Sequence, residues 1–478
     1  MREKPDLKYL FAPRAIAHVG ASPKDTPGRF WFLRYLQDMG YPGKLFPVNP
    51  KYQEVFGLKC YPTLADTPGE IDLVILALPA TLCPKTLAEV PAGKLKFVIV
   101  HTSGFSEIDK NDLEQELLDL ARAKNFRIIG PNCMGVFSQE SRVCFWEDQC
   151  ELKDRPGWLG YISQSGGLTI DVISGGIDQG IGYNKAISLG NQIDVSISEL
   201  MSFMAADPAI KVIATYVEDI KNGRKFIETL QGITPSKPVL VWKGGLTRKG
   251  QAASKTHTGS MSSNSDIFRA AMKQAGAILI DNFQEMIQML CLLRPPVSVP
   301  GKRLGLICPG GGNTVSISDA FSAEPDLELP LLSEESRAQI QALLPEENVD
   351  LKNPVDPGAV GVMKLDKVAA IVGRDPNVDT LILMITDEIV FHFKEDNMKK
   401  MIAFMMADMM KKVSEQIGKP VIINLMQVRD NNEEVSYGRR LMVDALIARG
   451  ISWTNGSFIQ TARIFAKLAR YAKFLEKA

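Results

Sequence analysis

An opening used three times constrains this chain most: a short continuous apolar run, a loop of small residues, then a helical stretch. AIAHVG (Ala15 to Gly20) leads into ASPKDTPG, WLGYIS (Trp158 to Ser163) into QSGGLT, and RLGLIC (Arg303 to Cys308) into PGGGNT. Apolar runs that do not alternate with polar residues belong to strands buried on both faces, and so to parallel sheets covered by helices. Further runs follow each opening: KLFPVNPK, Asp72 to Leu78, Phe97 to His101 and Arg127 to Ile129; then Lys211 to Val217 and Lys237 to Trp242; then Asp379 to Ile385 and Pro420 to Leu425. With 478 residues the chain exceeds what one core organises. The expectation is an α/β protein of three related units, at residues 1–150, 151–297 and 298–478.

Charge excludes some partners. The 55 acidic side chains balance 55 basic ones, which gives no field to attract nucleic acid or an anionic membrane. Seven cysteines without metal-ligand spacing fit reduced thiols rather than a metal site. The charged start MREKPDLKYLF lacks the apolar core of a signal peptide, and no apolar run reaches membrane-spanning length, so a cytoplasmic protein is expected. The Met-rich run from Met398 to Lys412 reads as an amphipathic core or interface helix.

Parallel sheets bind ligands outside the carboxyl ends of their strands. In the first unit those ends carry Gly20-Ala21-Ser22, Asn49-Pro50-Lys51, Pro79, Ser103-Gly104 and Asn132-Cys133. The first loop lacks GxGxxG, and Asn49 and Lys51 stand where a dinucleotide fold would place a ribose-binding acid. NAD is disfavoured. A basic residue there suits a ribose bearing an extra phosphate, as in NADP or coenzyme A, with Lys24 and Arg29 available to the other phosphates; solvated surface charges are the alternative.

The second unit carries the chemistry. Ser163-Gln164-Ser165-Gly166-Gly167 is a strand-to-helix turn whose unpaired N–H groups and helix dipole favour an anion. Glu218 ends the strand Lys211 to Val217. The next strand ends in Lys243-Gly244-Gly245 and runs into QAASKTHTGSMSSN, where His257 stands alone among small and hydroxyl residues. A neutral imidazole in such a loop is a candidate phosphoryl-accepting nucleophile, and Glu218 a candidate to orient it. An ordinary strand-end glutamate is the competing reading. Gly310 to Gly312 in the third unit form a further Gly-rich turn with no base or nucleophile beside it, and the turn-rich Asn353 to Gly358 has no assigned role.

Along nearly its whole length the chain resembles the α subunit of the ADP-forming acyl-CoA synthetases, relatives of succinyl-CoA synthetase. The resemblance is carried in order by VGAS, VNPK, HTSGFSE, GPNCMG (residues 130 to 135), ISQSGGL, SLGNQIDV (188 to 195), YVEDIKNGRKF, KPVLVWKGG and THTGSMSS (256 to 263). It implies a Rossmann-like CoA-binding domain followed by two flavodoxin-like domains. It also implies a reaction that interconverts acyl-CoA, phosphate and ADP with acid, CoA and ATP. On that pattern His257 carries the phosphoryl group, Glu218 orients it, Ser163 to Gly167 hold phosphate, and the five loops of the first unit hold CoA. Met261-Ser262-Ser263 depart from the family's usual Leu-Ala-Gly. No ATP-grasp domain is recognisable after residue 300. Mg²⁺ and ADP or ATP are therefore expected in an ATP-grasp β subunit, in an assembly of α₂β₂ type. A CoA-sensing module without turnover is the competing function.

Overall fold

The apolar runs fold as strands. β1 (Ala15–Val19), β2 (Lys44–Val48), β5 (Ile71–Leu76), β6 (Leu95–Val100) and β7 (Arg127–Ile129) form a parallel sheet in the order β2-β1-β5-β6-β7. A two-stranded ribbon, β3 (Glu54–Val55) with β4 (Leu58–Lys59), is antiparallel. All six residues of β5 are buried, as its unbroken apolar run requires, and Val74, Leu76, Val98 and Val100 lie in the core between sheet and helices. The helices are α1 (Lys8–Phe11), α2 (Phe32–Met39), α3 (Cys83–Ala88) and α4 (Asn111–Lys124). The computed structural model describes residues 4–24, 31–247, 249–250, 265–344, 351–358, 363–386, 395–427 and 431–478. Arg29 and His257 lie outside the described residues.

The second sheet has the order β13-β12-β11-β9-β10-β8. It comprises β8 (Val136–Ser138), β9 (Leu159–Ser163), β10 (Tyr183–Ser188), β11 (Val212–Val217), β12 (Val239–Lys243) and β13 (Ile278–Ile280), all parallel except β8. Its helices are α5 (Gly166–Asp178), α6 (Ile197–Ala206), α7 (Gly223–Ile233) and α8 (Ser265–Gln274). Ser165, Ser196 and Asn222 cap α5, α6 and α7 by accepting from the backbone N–H three residues on, which is why each helix begins where it does.

The chain divides into two compact units, Met1–Asp281 and Asn282–Ala478. Both sheets above belong to the first. β8, inside the span 1–150, pairs with β10 of the second sheet, so that segment crosses between sheets before residue 150. The second unit holds α9 (Phe283–Leu292), which precedes residue 297 yet receives a hydrogen bond on its Leu292 carbonyl from Ser452 Oγ at 3.2 Å. Its sheet runs β14 (Leu304–Ile307), β15 (Thr380–Thr386), β16 (Val421–Met426), β17 (Ser452–Thr454), all parallel and in chain order.

Within the first unit the two sheets are joined by an ion cluster built on a buried arginine. Arg127, only 3% exposed, starts β7; its Nε donates to both carboxylate oxygens of Asp194 at 3.1 and 2.9 Å. Its Nη1 and Nη2 donate to Glu199 at 2.8 and 3.1 Å. Burial alone would lower its pKa, but the hydrogen bonds it donates to Glu199 and Asp194 outweigh that and raise it, so the cation is permanent. Breaking a buried pair leaves an uncompensated charge, at a cost of about 3–5 kcal/mol. Arg127→Ala is therefore expected to lose about that much stability in urea unfolding. Arg127→Lys, which keeps the charge but not the fork that reaches two carboxylates, is expected to lose less.

Candidate active site

The order of strands determines where ligands can enter. In the first sheet the chain leaves β1 toward β2 on one side and returns to β5 on the other; in the second it leaves β9 toward β10 and returns to β11. At such switch points the connections diverge and open a crevice at the carboxyl ends. Gly20 to Ser22 and Pro79 follow β1 and β5, while Gln164 and Glu218 follow β9 and β11. Each pair therefore flanks a switch point.

At the first switch point the loops are tied together. Asn49 Nδ2 donates to the Ala21 carbonyl at 2.8 Å, Ser22 Oγ lies 3.3 Å from the Tyr52 hydroxyl, and the Lys24 N–H donates to Ser22 Oγ at 3.2 Å. Lys51 is exposed, its N–H donating to Asn49 Oδ1 at 3.0 Å, so its side chain is available to an anion. Gly20 has a φ of +92°, and a Cβ there would lie 2.4 Å from the Ala77 carbonyl oxygen, so no other residue fits between β1 and β5.

The second switch point is built around Gln164. Strand register sets Ser163 beside Tyr216 and Ser188, so the chain after β9 emerges next to the end of β11. The Gln164 side-chain oxygen accepts from the backbone N–H of Glu218 and of Asp219, the latter at 2.9 Å, and its Nε2 donates to the Asp219 carbonyl at 2.8 Å. Tyr216 donates its hydroxyl to Glu218 Oε1 at 3.1 Å; burial pushes the phenol pKa up, so it stays a donor. Lys243, at the end of the adjacent β12, donates to the Glu218 carbonyl at 2.8 Å, and burial lowers its pKa. Glu218 is thus held by its backbone on one side and by a phenol on its carboxylate.

α5 begins at the same place. Its first N–H groups, those of Gly166 and Gly167, have no acceptor within the helix. Gly166 packs against Met134, which a Cβ would approach to 3.0 Å, whereas a Cβ on Gly167 would meet nothing within 4 Å.

A cavity of about 460 Å³ unites the two edges. Its walls include His101 to Ser103 and Asn132 to Met134 from the first sheet, Gln164 to Gly167 from the start of α5, Gly190 and Asn191 after β10, and Glu218. Of the residues assigned from sequence it gathers Ser103, Asn132, Cys133, Gln164, Ser165, Gly166, Gly167 and Glu218. It does not gather Gly20, Ala21, Ser22, Lys24, Asn49, Pro50, Lys51, Pro79 or Gly104, which lie along the carboxyl edge of the first sheet, nor Ser163, which is fully buried with its Oγ donating to the Ser165 carbonyl at 2.9 Å. His101, Met134 and Asn191 were not singled out by sequence, although each sits in a quoted motif. Asn191 Nδ2 donates to Ser106 Oγ at 3.1 Å and Glu114 Oε1 at 2.7 Å, which fixes the wall between the sheets. Among the described residues no group of three or more His, Cys, Asp or Glu is placed to hold a metal ion.

Two parallel sheets, each with a switch point at the carboxyl ends of its strands, and a cavity between those edges define an α/β protein with a ligand-sized crevice. Residues 14–139 match the model of a CoA binding domain, and residues 156–293 that of a succinyl-CoA ligase-like flavodoxin domain. The chain is 34% identical to the acetate–CoA ligase (ADP-forming) II subunit alpha of Pyrococcus furiosus, over 79% of this chain and 81% of that one. It is 30% identical to the acetate–CoA ligase (ADP-forming) of Methanocaldococcus jannaschii over 73% of this chain, but spans only about half (49%) of that longer protein. Among solved structures it is similar to a dinucleotide forming acetyl-coenzyme A synthetase 1 of Ca. Korarchaeum cryptofilum in complex with phosphate and ADP, with a TM-score of 0.82, 28% identity and 98% of each chain covered. The chain belongs to the family of ADP-forming acyl-CoA synthetases. Among the described residues no helix is long and apolar enough to cross a membrane.

Gly167 offers a clean test of the helix start. Gly167→Asp adds a first-turn carboxylate where a Cβ meets no neighbour, so the fold should be kept, with stability in urea equal to or slightly above the parent's. On the expectation that phosphate binds at this helix start, a fixed negative charge repels it and competes for the same N–H groups, so inorganic phosphate binding should weaken at least tenfold by calorimetry.

Proposed function

We propose that the chain is the acyl-CoA and phosphate-handling part of an ADP-forming acid–CoA ligase. The observation that carries this reading is the single cavity lined by both the carboxyl edge of the first sheet and the start of α5. CoA enters along Gly20 to Lys24, Asn49 to Lys51, Pro79 and Ser103-Gly104, with Arg29 as a further phosphate contact. Its thioester end reaches Asn132 and Cys133. Phosphate sits at Ser163 to Gly167, the side chains of Ser163 and Gln164 shaping the turn from within. An oxygen of that phosphate attacks the thioester carbon, the C–S bond breaks, and the products are acyl phosphate and CoA thiolate.

His257 then attacks phosphorus, the acid leaves as carboxylate, and the phosphoryl group rests on the imidazole until ADP takes it. Glu218 accepts the N–H of the other ring nitrogen, setting the tautomer and balancing the charge of the phosphorylated ring. The fixed backbone around Gln164 supports this role, because a positioned carboxylate needs no reorganisation when the charge appears. The longer relatives, of which this chain spans about half, fit a nucleotide-binding ATP-grasp part that is fused in some proteins and separate in others. Here it is proposed as a β subunit that binds Mg²⁺ with ADP or ATP in an α₂β₂ assembly. ATP formed from acetyl-CoA, ADP and phosphate by the purified chain alone would overturn that assignment.

The phosphoryl step is tested by labelling. The purified chain incubated with acetyl-CoA and labelled phosphate should acquire an acid-labile label, and His257→Asn should acquire none while binding CoA within twofold of the parent. Equal label in the variant would remove the reading. Weakened CoA binding would assign the loop a structural role instead.

A further inference from the structure

Met134 bridges the two halves of the cavity. It follows Asn132 and Cys133 in the GPNCMG turn and lines the wall, with 9% of its surface exposed. It packs on Gly166, where an added Cβ would come within 3.0 Å of the Met134 Cγ and 3.5 Å of its Sδ. Its backbone is pinned from both sheets. The Asn132 N–H donates to the Thr102 carbonyl at 3.0 Å, and the Gly135 carbonyl accepts from the Ser188 N–H at 3.0 Å. Gly135, at a φ of +128°, brings the turn against Phe145, whose Cβ would lie 3.2 Å from an added one. The Met134 side chain therefore has a fixed root and a flexible, unbranched end.

The wall offers no other large apolar side chain. Among the described residues that line the cavity the rest are polar, glycine or cysteine, and the Cys133 Sγ is turned to the Val100 and Ile129 carbonyls at 3.5 and 3.7 Å. Nor is any of those lining residues a lysine or arginine. The Lys243 Nζ donates to the Glu218 carbonyl at 2.8 Å without lining the cavity. Burial lowers the pKa of His101, which leaves that ring neutral at physiological pH. The one formal charge on the described wall is the Glu218 carboxylate.

In the reaction proposed above, the thioester carbon lies between the CoA sulfur at Asn132-Cys133 and phosphate at the start of α5. Met134 spans that same interval, so the substituent on the carbon lies against its thioether. We propose that Met134 is the specificity-determining residue for the acyl group and that this wall selects short acyl groups bearing no charge of their own. A longer chain must displace the thioether from Gly166. A second carboxylate, as in a dicarboxylic acyl group, would enter a wall without a cation and face Glu218, and a charge buried without a partner is strongly disfavoured. This assignment rests on the function proposed above and adds to it the class of acid.

Single-turnover labelling of the full-length chain with labelled phosphate and acetyl-, butyryl-, hexanoyl- or succinyl-CoA reads the selection. The parent is expected to label at least tenfold faster from acetyl-CoA than from hexanoyl-CoA, and slowest from succinyl-CoA. One methylene in an apolar pocket changes selection by about 10–200-fold. Met134→Ala is therefore expected to narrow the acetyl-to-hexanoyl ratio at least tenfold, and Met134→Phe to widen the acetyl-to-butyryl ratio about tenfold. Met134→Leu should keep the parental order, and free CoA should bind all three variants within about threefold of the parent by calorimetry. The parental preference unchanged in both Met134→Ala and Met134→Phe would overturn the proposal. An equal loss with every acyl group would do the same, by showing a packing role. A parent that labels from hexanoyl- or succinyl-CoA as fast as from acetyl-CoA would overturn the selection itself. A parent inert toward every acyl-CoA would overturn the proposed function instead.

Discussion

The two-sheet arrangement of the first unit hangs on one buried cation. Arg127 stands at the amino end of β7, and the carboxylates it binds, Asp194 and Glu199, come from the segment and helix that follow β10. Between these anchors the main chains are stitched: the Asn191 N–H donates to the Pro131 carbonyl at 2.9 Å and that of Ile193 to Gly130 at 3.2 Å. Gly190, at a φ of +55°, permits this approach, since a Cβ would lie 2.0 Å from the Pro131 oxygen. The cavity is the space left beyond that seam. Its shape therefore depends on residues that never face it, and a buried ion pair, whose value lies in orientation more than in net stability, suits such a task.

Topology explains why the candidate site lies in the first unit. Both of its sheets reverse strand order, the first beside β1 and the second beside β9, and each reversal opens a crevice flanked by two loops. Among the described strands the third sheet runs β14 to β17 in sequence with no reversal. Its Gly310 to Gly312 turn starts a helix as Ser165 to Gly167 do, and the Gly310 N–H is already bound by Asp356 at 3.2 Å. Similar openings in sequence thus have different surroundings in space.

Much of this was legible in the residues. Continuous apolar runs announced buried parallel strands, and small residues after them marked the carboxyl edge, so Gln164, Glu218, Asn132 and Cys133 could be named before their neighbours were known. What escaped were features set by distant partners. The three-residue β8 is too short for periodicity to reveal it, and its antiparallel pairing depends on Lys185 to Ile187 some fifty residues on. Arg127 reads as an ordinary strand-start cation, because its partners lie 67 and 72 positions away. His101 reads as the end of a strand. Only the fold brings its Nδ1 to 2.8 Å from the Cys133 carbonyl and places the residue in the cavity wall.

Gln164 shows how such a site keeps its geometry without substrate. A side-chain amide at a strand end would ordinarily be solvated and mobile; here its oxygen receives two backbone N–H groups and its nitrogen returns one bond to the same segment. Each of those backbone groups, left unpaired in a partly buried crevice, would cost about 1–3 kcal/mol. The loop after β11 is consequently anchored before any ligand arrives, and with it the direction in which Glu218 projects. That ordering occurs during folding, which is what the role proposed for Glu218 requires of a carboxylate placed in advance. The same logic applies to Nδ1 of His101, which lies 2.8 Å from the Cys133 backbone carbonyl. Backbone, not side-chain charge, is what aims the chemistry in this cavity.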